Sequence, residues 1–276
     1  DLLMLLRPRV DSSVLIKWRG LDYSHASWEA WEDVRTLRGA RQAWRRCAAL
    51  CARPPRRAPN DETRGRQISR PFAPVSEAGL ELPAGRSVRS YQLDGVNWLL
   101  ACWHSGRSSI LADEMGLGKT CQVLLTLQWL ARHRQMDGPC LVVAPVSTLT
   151  HWQREVLAWT GLSCVVLHGP AEARRACLRH ECKHTDARGK STGRLRFQIL
   201  LLAYDTLGLE MGTLGALRWQ YLVVDEAHRL KNPQTKLVHA LRSLRCAHTT
   251  LLTGTPVQND VTELLGLMSF LDPVAF

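Results

Sequence analysis

No apolar run in this 276-residue chain reaches the length that crosses a bilayer, and no membrane is expected among its partners. The first residues, Asp1-Leu2-Leu3-Met4-Leu5-Leu6-Arg7, lack both an initiator Met and the layout of a secretory leader. The chain therefore reads as an internal piece of a longer protein. No internal repeat is visible. Acidic residues are outnumbered, 25 against 36 basic ones, and lysine is scarce, so arginine carries most of the net charge of +11. That balance suits a polyanionic partner such as nucleic acid, although an arginine-rich proteome gives the same sum. The nine cysteines are an odd number scattered through apolar segments (Cys121, Cys140, Cys164), which argues for a reducing compartment over a disulfide framework. What remains, 45% hydrophobic and 22% charged, is enough for one large globular domain or two modest ones.

The densest motif is Leu111-Ala112-Asp113-Glu114-Met115-Gly116-Leu117-Gly118-Lys119-Thr120. It follows the apolar run Ser109-Ile110-Leu111-Ala112 and opens a helical pattern with Val123, Leu124, Leu127 and Leu130 on one face. Strand, glycine loop and helix in that order suit a phosphate. The glycines let backbone N–H groups approach it, and the helix N-terminus adds positive field. Lys119 is placed to reach the outer phosphates of a nucleotide and the Thr120 hydroxyl to ligate Mg²⁺. Asp113 departs from the general pattern, which asks for glycine five places before Gly118. A glycine turn with a lysine also occurs as plain loop chemistry, so other segments must decide.

Residues 1–52 form a first unit. Val14-Leu15-Ile16-Lys17-Trp18-Arg19-Gly20 predicts a strand, Ser27-Trp28-Glu29 a second one, and Trp31 to Cys51 a helix. Three tryptophans in fourteen residues suit a compact core or a recognition cage. Residues 53–87, with Pro54, Pro55, Pro59, Pro71, Pro74 and Pro83, read as a basic, solvated linker. From residue 88 apolar runs alternate with amphipathic stretches. Ser109–Ala112, Cys140–Ala144, Cys164–Leu167, Phe197–Leu202, Tyr221–Val224 and Thr249–Leu252 predict buried parallel strands; Lys119–His133, Thr150–Thr160, Thr235–Leu244 and Val261–Leu271 predict helices. The outcome is an α/β lobe, a mainly parallel sheet flanked by helices, with ligands at the carboxyl ends of strands. Residues 171–196 interrupt it with a basic insertion that reads as a solvated surface segment able to touch DNA phosphates. Its Cys177, His180, Cys182 and His184 are spaced too tightly for the usual paired zinc ligands.

Tyr221-Leu222-Val223-Val224-Asp225-Glu226-Ala227-His228 sets two carboxylates at a strand end. In a nucleotide hydrolase one of them, Asp225, holds Mg²⁺ through water, and the other, Glu226, polarises the attacking water. An acidic pair there is elsewhere often only a helix N-cap. Leu251-Leu252-Thr253-Gly254-Thr255-Pro256 ends a further strand in two hydroxyls around a glycine, able to sense the outer phosphate.

Together these segments resemble the Snf2-type branch of superfamily 2 ATPases. Tyr91-Gln92-Leu93-Asp94-Gly95-Val96-Asn97-Trp98 is similar to its adenine-side motif, with Gln92 as the implied adenine contact. Asp113 through Thr120 is that branch's own form of the phosphate loop, so Asp113, Glu114, Met115, Gly116, Leu117, Gly118, Lys119 and Thr120 are the implied nucleotide-binding residues. Val143-Ala144-Pro145-Val146-Ser147-Thr148-Leu149, followed by Trp152 and Glu155, is similar to its first DNA-strand motif; Ser147, Thr148 and Trp152 are the implied DNA contacts. Thr253, Gly254 and Thr255 are the implied coupling residues. Leu201-Leu202-Ala203-Tyr204-Asp205 stands where the family usually has Thr-Thr-(Tyr/Phe)-Glu.

Ile16-Lys17-Trp18-Arg19-Gly20 with Ser27-Trp28-Glu29 resembles a partial chromodomain, whose aromatic cage holds methyl-lysine by cation–π attraction. Only Trp18 matches a cage position. Leu21 replaces a second aromatic, and the strand carrying the third is expected outside the chain or degraded, so a structural or DNA-facing role is expected. A chromodomain ahead of such a lobe, with an insertion before Phe197, resembles the chromodomain-helicase-DNA-binding remodellers. The resemblance implies a RecA-like first lobe at 88–276, ATP and Mg²⁺, catalytic roles for Lys119, Asp225 and Glu226, and metal ligation by Thr120 and Asp225. It also implies duplex DNA and nucleosomes with their histones as partners, remodelling-complex subunits, and a nuclear location. In that family the arginines that complete the ATP site belong to a second lobe, which residues 1–276 do not include, so hydrolysis by this piece alone is expected to be weak or nil. A DNA-repair translocase of the same branch and a truncated, non-enzymatic chromatin-binding module stay open as alternatives.

Overall fold

A computed structural model describes residues 3–8, 13–18, 21, 23–52, 72–134, 136, 138–185, 191–254 and 261–276. The chain opens with β1 (Leu3–Pro8), β2 (Ser13–Trp18) and β3 (Ser27–Ala30), an antiparallel sheet with β2 in the middle. An upstream strand is present as β1, and it carries no aromatic residue. Arg19, Gly20 and the linker residues 53–71 lie outside the described residues. The helix expected from Trp31 to Cys51 is two, α1 (Trp31–Val34) and α2 (Ala40–Ala52), separated by a turn at 35–39 whose last residue, Gly39, stands at φ 87° just before α2. Val14, Ile16, Val34, Ala40, Ala43 and Cys47 form a small core, and Trp18, Trp31 and Trp44 pack on it. Of the three tryptophans between residues 18 and 31, Trp18 and Trp31 serve the core.

The rest runs α3 (Ser90–His104), β4 (Ser109–Leu111), α4 (Lys119–His133), β5 (Cys140–Ala144), α5 (Val146–Trp159), β6 (Cys164–Leu167), α6 (Ala171–His180), β7 (Lys183–Thr185), β8 (Ser191–Leu195) and β9 (Ile199–Ala203). Then come α7 (Tyr204–Leu209), α8 (Met211–Leu214), β10 (Arg218–Trp219), β11 (Tyr221–Val224), α9 (Lys236–Ser243), β12 (Arg245–Cys246), β13 (Thr249–Leu252) and α10 (Val261–Leu271). The six apolar runs make one six-stranded sheet in the order β4-β13-β11-β5-β9-β6. The pairs β4–β13, β13–β11, β11–β5 and β5–β9 are parallel. Every residue of β5 and β9 is buried, as expected of inner strands covered on both faces. Buried hydroxyls tie three strands together. Thr250 Oγ1 on β13 lies 2.8 Å from Ser109 Oγ on β4 and 2.7 Å from Tyr221 OH on β11.

The chain divides into two compact units, Asp1–Ala58 with Leu167–Phe197, and Pro59–Val166 with Gln198–Phe276. This corrects the reading of 171–196 as a solvated segment of the lobe. Helix α6 buries Ala173 and Cys177 and packs on the Tyr23–His25 turn of the first unit, where the Tyr23 hydroxyl donates to the Glu181 carboxylate. Residues 72–88 are not free linker either. Leu80 is buried in the core of the second unit, Phe72, Val75, Leu82 and Val88 pack against that core, and the Asn97 amide bonds both Val75 N (2.6 Å) and Val75 O (3.0 Å).

Candidate nucleotide site

The phosphate loop leaves β4 and enters α4 at Gly118, which stands at φ 85°, with Gly116 at φ 86°. A Cβ on Gly118 would lie 2.5 Å from Gln92 Nε2, so the second glycine is required by space as well as by backbone conformation. Lys119 folds over the loop, its Nζ donating to Asp113 O at 2.6 Å and Glu114 O at 3.0 Å. Thr120 sits in the first turn of α4, and Met115 is exposed at the loop's tip.

Two side-chain amides hold the ends of this loop. Gln92 Nε2 donates to Leu117 O at 3.1 Å while its Oε1 accepts from Arg89 N at 3.0 Å. Both ends of Gln92 are engaged, so an adenine contact by it exchanges one of these bonds. Gln122 Nε2 donates to Asp113 Oδ2 at 2.8 Å; Gln122 is fully buried, and a Cβ on Gly95 would lie 1.8 Å from its Oε1. Gln122 was not singled out from sequence. Its signal is an amide within the buried stretch Cys121–Gln128, at a position where an apolar residue would otherwise pack.

β13 lies between β4 and β11, so three strand ends meet. Thr253 N donates to Leu111 O at 3.2 Å. A Cβ on Gly254 would lie 2.7 Å from Met115 Cγ and 3.9 Å from Lys119 Nζ, which sets the third motif against the phosphate loop. Thr255 lies outside the described residues. Asp225 follows β11: its N donates to Val143 O at 2.9 Å, its Oδ1 accepts from Glu226 N at 3.0 Å, and its Oδ2 accepts from Trp152 Nε1 at 2.8 Å. Burial raises the Asp225 carboxyl, the Trp152 hydrogen bond lowers it, the Glu226 charge raises it, and the Glu226 N–H and the Lys119 ammonium lower it. Glu226 adopts φ 51°, ψ 52°, a strained conformation for a non-glycine residue, and its Oε2 is 3.3 Å from His228 Nδ1.

Trp152 corrects a sequence expectation. Its side chain is fully buried, so it is unavailable to DNA; its indole N–H is spent on Asp225. Ser147 is exposed and Thr148 half-buried in the first turn of α5, where Thr148 Oγ1 donates to Pro145 O at 3.0 Å. Tyr204, also not singled out from sequence as a site residue, opens α7 and gives its hydroxyl to Asp225 O. Burial pushes its phenol well up, so it stays a donor at any physiological pH.

The donors fit Mg²⁺ with a nucleotide triphosphate: two positive-φ glycines, an ammonium inside the loop, a helix N-terminus, and a carboxylate close enough to feel that ammonium. Comparison with known proteins decides the family. The SNF2-related domain matches residues 91–276.

The chain belongs to the SNF2-related family.

A Chromo (chromatin organisation modifier) domain matches residues 7–44 of the same chain. Chromodomain-helicase-DNA-binding protein 8 of Xenopus tropicalis is 38% identical over 266 residues, covering 95% of this chain and 12% of that protein. Chromodomain-helicase-DNA-binding protein 9 of Mus musculus is 37% identical over 266 residues, covering 95% and 9%. The chain thus spans about a tenth of the length of these relatives. Among solved structures, the Sulfolobus solfataricus SWI2/SNF2 ATPase core in complex with dsDNA is similar, with a TM-score of 0.60 and 30% identity, covering 74% of this chain and 38% of that one.

Proposed function

We propose that this SNF2-related lobe binds ATP with Mg²⁺ and forms part of a nuclear, DNA-stimulated motor that remodels nucleosomes. The observation that carries the reading is the meeting of Lys119, Asp225, Glu226 and Gly254 at three adjacent strand ends. In this reading Lys119 and the N–H groups of residues 116–120 hold the phosphates, and Gln92 faces the adenine. Thr120 and Asp225 hold the metal, and Glu226 takes a proton from the attacking water. The metal, when bound, neutralises phosphate charge. Ser147 and Thr148, in the first turn of α5, hold a DNA phosphate at that helix N-terminus. As the 276-residue chain alone, turnover is slow, because charge on the transferred phosphoryl needs arginines from a second lobe.

The test is ATP turnover by the full-length protein carrying this chain, without DNA, with duplex DNA and with nucleosomes. Turnover should rise on DNA and further on nucleosomes. Glu226→Gln should lower it by about 10² or more, the loss of a general base. A wild-type rate indifferent to DNA would exclude the motor, and DNA binding without nucleotide binding would leave a chromatin-binding module.

A further inference from the structure

The residue that the proposed reaction needs on the metal side, Asp225, is gripped by side chains that follow two neighbouring strands, β5 and β9. Val224 of β11 pairs with Val143 of β5, and Ala144 of β5 pairs with Ala203 of β9, so three strand ends lie side by side. Beyond Ala144 the chain turns through Pro145 into α5, with Val146 and Ser147 exposed; beyond Ala203 it turns into α7, with Asp205 exposed. Each turn sends one aromatic inward. Trp152 leans back along α5, as long helical side chains do, and donates Nε1–H to Asp225 Oδ2 at 2.8 Å. Tyr204 donates its hydroxyl to the Asp225 carbonyl, and the Arg229 guanidinium covers its ring at 5.0 Å. One bond fixes the side chain of Asp225 and the other its backbone. A shift of α5 or of the start of α7 is therefore felt at Asp225 through a single hydrogen bond from each.

We infer that Trp152 and Tyr204 are a pair of positioning residues for Asp225, through which DNA held at the first turn of α5 sets its carboxylate. The inference rests on the nucleotide-and-DNA reading above and deepens it: it says why turnover should depend on DNA. It also explains why a tryptophan that follows a DNA-strand motif is buried. The indole belongs to the nucleotide side of the relay, and the exposed hydroxyl of Ser147 to the DNA side.

The measurement is the linkage between two ligands on the 276-residue chain itself, which needs no turnover. The affinity for a fluorescent ATP analogue with Mg²⁺ is titrated with and without a duplex oligonucleotide, and the duplex is titrated with and without the analogue. In the wild-type chain each ligand should tighten the other by the same factor, of order tenfold. Tyr204→Phe, which removes only the hydroxyl, and Trp152→Phe, which keeps an aromatic side chain but loses the indole N–H, should bring that factor to about two or less. Nucleotide affinity without DNA, and DNA affinity without nucleotide, should stay within about twofold. Val156→Ala, a buried position one turn after Trp152 on α5 with no polar group to offer Asp225, is the structural control: it should lower the melting temperature and leave the factor intact. A factor unchanged in both aromatic variants overturns the relay, as does a wild-type chain that binds both ligands without coupling. A wild-type chain that binds no nucleotide sinks the site reading and the relay with it. Loss of the factor in Val156→Ala as well reduces the pair to ordinary packing and overturns their special role.

Discussion

At the scale of single residues, the glycine loop between β4 and α4 is held by side-chain amides. Asp113 stands where glycine freedom is the general solution, and the buried Gln122 amide bonding its carboxylate at 2.8 Å restores the order that glycine would have supplied by turning. Gln122→Glu sets two carboxylates against each other in a buried place. It should weaken nucleotide binding by tenfold or more and destabilise the lobe by about 1–3 kcal/mol. Adding Asp113→Asn rebuilds the bond with donor and acceptor exchanged and should recover most of both losses. If the double variant is no better than Gln122→Glu alone, the clamp is not what matters at this position. Gly95→Ala should also be destabilising, since the new methyl meets Gln122 Oε1.

At the scale of elements, α6 is the piece whose environment the sequence hid. Its arginine-rich turns suggest solvent on all sides, yet Ala173 and Cys177 are fully buried and Tyr23 covers Glu181. Burial raises the Glu181 carboxyl above its ordinary value, and the Tyr23 hydroxyl, Arg196 and Lys17 only partly oppose it. The unfolded chain therefore ionises Glu181 at lower pH than the folded unit does. Between those two values the folded state holds more protons, so this residue's contribution to stability falls as pH rises through that window. Glu181→Gln should flatten that slope in denaturant titrations run from about pH 4 to pH 7. A slope equal to wild type would mean that Glu181 is as well solvated folded as unfolded.

At the scale of the whole molecule, the two units should respond separately to a ligand of the second. A nucleotide analogue with Mg²⁺ at about 100 times its Kd adds about 2.7 kcal/mol to the stability of the unit that binds it. Hydrogen exchange should slow at residues 109–125 and 221–228 and stay unchanged at residues 13–47. Equal protection of both regions would show that they open as one body, and protection of neither that the loop holds no nucleotide.

The sequence by itself determined what is local. Runs such as Leu141-Val142-Val143 and Leu200-Leu201-Leu202 are apolar on both faces and can only be inner strands; the glycines at 116 and 118 permit a turn closed to other residues; Asp225-Glu226 stands at a strand end wherever that strand goes. Six strands, the glycine loop ahead of α4 and the place of the two carboxylates at a strand end were legible for that reason. Tertiary structure alone decided which strand ends are neighbours. That β13 inserts between β4 and β11, bringing Gly254 against Met115, follows from packing choices and from the Ser109–Thr250–Tyr221 hydroxyls, which lie far apart in the chain. It decided also that Trp152 turns inward and that α6 joins the first unit. An aromatic or an arginine-rich helix has two possible surroundings, and only the surfaces it meets select between them.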